Sequence, residues 1–124
     1  MAGTNVEDMH RIGGGSVANL QLKPREATLN PPGISLLHAS SPGEAVRQMR
    51  EAFPAADRLH EAAQVIGSTT VDKIRSAGFD VLPNPTKRLS NHYWLIHPDG
   101  VAGFNDANLV LLSAVFTETS GHAL

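Results

Sequence analysis

Two clusters of turn-forming residues, Pro83-Asn84-Pro85-Thr86 and Pro98-Asp99-Gly100, fence the segment that holds the only Trp and the only Tyr of the chain. They limit the possible folds more than any other feature. Each Pro lacks a backbone N–H and pushes the residue before it towards extended geometry, so no helix runs through either cluster. Between them, His92 to His97 (HYWLIH) is rich in aromatic and branched apolar side chains, the composition of a half-buried strand. Alternation places His92, Trp94 and Ile96 on one face and Tyr93, Leu95 and His97 on the other. The two histidines therefore point to opposite sides, which argues against a metal pair on this strand.

Further elements follow from the same reasoning. Gly33 to His38 (GISLLH) reads as a short apolar strand, and Phe79 to Leu82 (FDVL) as another. Ser41-Pro42-Gly43-Glu44 is a capping box with Pro at the first helical position. It opens a helix that carries Val46, Met49 and Phe53 on one stripe. A second helix is expected over 55–66, closed by Gly67, and a third over 69–77, capped by Ser68, with Val71 and Ile74 inward. Asn105 is an N-cap, and Phe104 and Leu109 have the spacing of a hydrophobic staple. The following run to Phe116 is apolar on nearly all sides, which predicts a buried helix or a subunit contact, ended by Gly121. The order predicts an α+β fold: one small domain, residues 33–121, with a small mixed or antiparallel sheet covered by helices.

Residues 1–32 are expected to form a flexible or extended lead-in, because Gly13-Gly14-Gly15-Ser16 lacks both the preceding strand and the Lys-Ser/Thr of a phosphate loop. The 124 residues suffice for one domain with a real core. A formal charge of −2, with 18% charged and 41% hydrophobic residues, gives no electrostatic footprint for nucleic acid or membrane. No cysteine is present, which excludes disulfides, thiolate metal sites and thiol nucleophiles. No apolar run reaches membrane-spanning length, no secretory signal core opens the chain, and a cytoplasmic location is expected.

Lys87, Arg88, Asn91 and His92, leading into Tyr93, form the first candidate site. A cationic pair beside an Asn and a His is suited to holding a phosphate or carboxylate and placing an acid/base group next to it. His97, followed by Asp99 in the turn, is a second candidate acid/base. His60-Glu61 lacks the second His of a zinc-protease helix, since Gln64 stands there, so no metal site and no cofactor are expected. Residues 61–71 follow the outline of a helix-turn-helix, but the spacing after Gly67 is wrong and the following helix only weakly basic. Leu109, Leu112 and Phe116 are the candidate interface residues.

The run from Gly33 to Phe116, with its GISLL, SPGEA, IGSTT, GFDVLPNPT, NHYWLIHP and GF segments, resembles short bacterial proteins, some of which sit among toxin, antitoxin and other conflict-system components. That resemblance implies a toxin-like domain or its partner and carries no catalytic residue with it. The reading adopted is a small interaction or neutralising module that binds a protein partner, or a second copy of itself, through its apolar C-terminal helix. The alternative is a small toxin-like enzyme acting on a nucleotide or RNA, with His92 or His97 as acid/base and Lys87 and Arg88 on phosphate.

Overall fold

The structure, a computed structural model, describes residues 8–55 and 64–120. In chain order it contains β1 (Asp8–Ile12), α1 (Val17–Leu20), α2 (Pro24–Ala27), β2 (Gly33–His38), α3 (Pro42–Ala52), β3 (Val65–Thr70), α4 (Val71–Ser76), β4 (Asp80–Pro83), β5 (His92–Ile96), a 3₁₀ turn (Gly100–Gly103), α5 (Asp106–Ser113) and β6 (Thr117–Ser120). The fold is α+β, and the sheet is antiparallel at every pairing, in the order β4-β5-β2-β1-β3-β6. Among the described residues, no helix is long and apolar enough to cross a membrane.

Several local expectations hold. Ser41 accepts from the Glu44 amide and Pro42 starts α3, as the capping pattern requires. Asn105 caps α5 through the Asn108 amide. The strands β2, β4 and β5 lie within a residue of where turn chemistry and apolar content place them.

Other expectations are corrected. Residues 8–32 are not a lead-in, because β1 lies in the interior of the sheet between β2 and β3. The glycine run is a built turn: Gly13 and Gly14 both take φ of +97°, which only glycine adopts without strain, and the Gly15 carbonyl accepts from Ser113 Oγ at 2.6 Å. Among the described residues the sheet has six strands, twice the number read from the sequence. Residues 56–63 of the expected second helix lie outside the described residues, but Val65 and Ile66 belong to β3, as do Gly67 and Ser68. That strand removes the helix-turn-helix outline. The cap of α4 is Thr70, which accepts from the Lys73 amide. The last helix stops at Ser113, and Thr117–Ser120 returns as an edge strand on β3.

Alternation gives the sheet two working faces. On the first, Met9, Ile34, Leu36 and Leu95 pack with Leu20 of α1, Val71 and Ile74 of α4, and Leu109 and Leu112 of α5. On the second, Leu37 and Ile66 pack with Ala45, Val46 and Met49 of α3. Burial of each such large aliphatic side chain stabilises the fold by about 1.5–3 kcal/mol.

One joint in the sheet is short. β1 pairs with β3 over five residue pairs, from Asp8↔Thr70 to Ile12↔Ile66, but with β2 over only two, Met9↔His38 and His10↔Leu37. Beyond His10 the two strands diverge, and the Arg11 side chain crosses the opening: Nη1 donates to Ser35 O at 3.0 Å. The guanidinium thus replaces ladder hydrogen bonds that separated strands cannot make.

Candidate ligand cavity

A cavity of about 420 Å³ lies at this split, lined by residues of both faces of the sheet. Its apolar wall includes Leu37, Met49, Phe53 and Leu89, and its polar groups include His10, Arg11, Asn19, Ser35, Thr86 and His92. Lys23 and Glu26 stand at the same cavity. The volume falls in the range of small-molecule sites, roughly 300–1,000 Å³, as does the mixture of an apolar wall with a few converging polar groups.

His92 reaches the cavity because the β2–β5 register sets it opposite Leu37 and beside Ser35, which pairs with Trp94. It is 8% exposed. Its Nδ1 lies 3.0 Å from the Asn84 carbonyl, and a carbonyl only accepts, so Nδ1 carries the proton. Nε2 is then a lone pair, 3.0 Å from Ser35 Oγ, and the serine hydroxyl donates to it. Burial holds the His92 pKa below its ordinary value, against a raising influence of the Asn84 bond. The ring is therefore neutral at physiological pH, with its basic nitrogen towards the serine. Chemically this pair polarises the Ser35 hydroxyl and offers oxygen lone pairs to a ligand donor.

His10, 2% exposed, is fixed in the same manner. Nε2 donates to Ala39 O at 2.9 Å and Nδ1 accepts from Ser68 Oγ at 2.8 Å. Burial lowers its pKa as the leading influence, opposed by the Ala39 bond and by Asp8. Both histidines at the cavity are thus neutral and held in one tautomer.

Arg11 supplies the buried charge. It is 8% exposed, and Nε and Nη2 both donate to Asn19 O, at 3.2 and 2.9 Å. Asn19 is held in turn by its own donation to Ile12 O at 3.2 Å. Burial lowers the Arg11 pKa and Glu26 raises it, but a guanidinium stays protonated. Among the described residues no carboxylate forms an ion pair with it.

The residues expected to act together are spread across both faces. Of them, His92 alone lines the cavity. Lys87 and Arg88 are exposed on the loop between β4 and β5, whose Thr86 and Leu89 do line it. The Arg88 guanidinium stacks over Phe53 at 5.4 Å and donates to Ala52 O, so it braces the end of α3. Asn91 Nδ2 donates to His38 O at 2.6 Å, a structural tie between β2 and the loop. Tyr93 faces the first core, with its ring 6.3 Å from that of His38. His97 packs edge-on against Phe79 at 4.8 Å, and its Nδ1 accepts from the Asp99 amide at 3.0 Å. The Asp99 carboxylate lies 3.9 Å away and is three-quarters exposed, and residues 97–100 form a turn closed by the Gly100 amide on His97 O at 3.0 Å.

Leu109 and Leu112, expected at an interface, are fully buried in the first core, and Phe116 is half-buried against it. The face that α5 shows to solvent carries Val110 and Leu111 instead, each 58% exposed. Sequence reasoning passed over Arg11 and Ser35. The signal for Ser35 is its position as the one polar interruption inside the apolar run ISLL. For Arg11 there is only its place between His10 and Ile12 just before a glycine turn, which is no strand signal by itself.

No protein-family model, no curated protein and no solved structure matches this chain.

Proposed function

We propose that this protein is a small-ligand-binding domain whose site is the cavity at the β1–β2 split. The single observation that carries this reading is the convergence of a buried, unpaired guanidinium and the His92–Ser35 pair on a cavity with an apolar wall. A chain selected for stability alone has no reason to hold its central strands apart and bury a charge in the gap. Saturation-transfer NMR with octanoate, octanol and indole tests the reading, using Ser35→Leu to fill the cavity. We expect transfer in the wild type and its loss in Ser35→Leu, with an unchanged circular dichroism spectrum. Retained transfer in that variant would remove the cavity as the site.

A second reading is favoured by the exposed Val110 and Leu111 on α5, with Val101 in the preceding 3₁₀ turn at 51% exposure. Here the protein is an interaction or neutralising module of conflict-system type that holds a protein partner or a second copy. Leu111→Glu separates the two readings, since it disrupts association and leaves ligand binding in the cavity intact. The enzyme alternative, acting on a nucleotide or RNA, now rests on His92 alone. Lys87 and Arg88 bring positive charge to the outer side of the loop that lines the cavity, and His97 lies on the other face.

A further inference from the structure

The ligand class follows from how Arg11 is hydrogen-bonded. A guanidinium has five N–H donors. Three are used on backbone carbonyls, two on Asn19 O and one on Ser35 O, which leaves one N–H on each of Nη1 and Nη2. Those carbonyl bonds orient the group without neutralising it, and a buried charge lacking a counter-charge is costly. Glu26 offsets it only from a distance: it raises the Arg11 pKa without forming an ion pair with it, and its Oε1 accepts from the Lys23 amide at 2.8 Å, capping α2.

Charge counting narrows the class. Arg11 is the one buried charge at the cavity, while exposed Lys23 and half-exposed Glu26 offset one another at its rim and His10 and His92 are held neutral, so a single positive charge is left to balance. A monoanion meets that balance, whereas a phosphate monoester brings about −1.5 to −2. A planar carboxylate, with two acceptor oxygens, also suits a guanidinium that keeps one N–H on each Nη. The apolar wall of Leu37, Met49 and Phe53 then accommodates a hydrocarbon or aromatic body.

We infer that the cavity binds a small monocarboxylate, with its carboxylate on the two free N–H groups of Arg11 and its apolar body against Leu37, Met49 and Phe53. This rests on the cavity being a binding site, as proposed above. Isothermal titration of the full chain with octanoate, octanamide and inorganic phosphate tests it. Octanoate is expected to bind about ten times tighter than octanamide, the scale of one charge-assisted interaction. Phosphate is expected to give no heat. In Arg11→Met the preference for octanoate over octanamide disappears. Should that variant not fold, the comparison of the two ligands on the wild type still decides. Equal affinity for octanoate and octanamide would overturn the carboxylate assignment and leave the cavity as an apolar site. Phosphate binding as tight as octanoate would overturn the ligand class. Binding of none of the three would overturn the assignment together with the cavity reading on which it stands.

Discussion

At the scale of single residues, His10 and His92 couple the cavity to pH. In both, burial lowers the pKa below 6.5, so between the depressed folded value and 6.5 the unfolded chain binds more protons than the folded one. Stability therefore rises with pH across that window. It is fully present above pH 6.5 and is lost as pH falls through the folded pKa values. Urea unfolding at pH 7.5 and pH 5 should show a lower midpoint at pH 5, and His92→Asn should flatten some of the difference. A midpoint that does not move would show that these rings are not held neutral by burial. Gly103 makes a separate demand: a Cβ there would overlap His97 Nδ1, within a ring already packed on Phe79. Gly103→Ala should cost about 1–3 kcal/mol by overpacking, read as a lower unfolding midpoint. An unchanged midpoint would mean that the His97 ring moves aside freely.

At the scale of elements, α5 shows how far sequence reasoning reaches. Its cap and its start were legible because Asn105 and the staple spacing are local signals, and local signals survive folding. Its facing was not legible, because the run from Leu109 to Phe116 (LVLLSAVF) is apolar on nearly all sides and a helical wheel cannot choose between Leu112 and Leu111. Tertiary packing decides: Leu112 is fully buried and Leu111 is 58% exposed. Leu112→Ala should cost about 2–5 kcal/mol, whereas Leu111→Ala should stay within about 0.5 kcal/mol. Chemical denaturation of both variants checks this, and equal effects would contradict the assigned facing. The strands divide likewise. β2 and β5 announce themselves as apolar runs between turn residues. β1 (DMHRI) hides because its inward polar side chains are satisfied by partners distant in sequence: Ser68 and Ala39 for His10, Asn19 and Ser35 for Arg11. β3 (VIGSTT) carries Gly67 and Ser68, which read locally as a helix stop and a cap, and β6 (TETS) is a polar edge strand with no apolar face.

At the scale of the whole molecule, the sheet is two three-stranded halves, β4-β5-β2 and β1-β3-β6, joined over two residue pairs at one end. The opening at the other end is bridged by Arg11, and the cavity lies there, with groups contributed by β1, β2, β5, α3 and the loop before β5. This explains why the site was only partly legible. His92 stood out on a strand with strong local signals, whereas its partner Ser35 is 57 positions away and Arg11 acts through a gap between strands. No local pattern encodes the separation of neighbouring strands. The central claim is that ligand enters this gap, and the most direct measurement is a two-dimensional ¹H–¹⁵N NMR titration with octanoate, including the Arg11 side-chain Nε–H. On binding, the Arg11 Nε–H and the amides of Arg11, Ser35, Leu37, Leu89 and His92 are expected to shift together, while Val110 and Leu111 stay still. Shifts confined to Val101, Val110 and Leu111, or none at saturating octanoate, would contradict that claim.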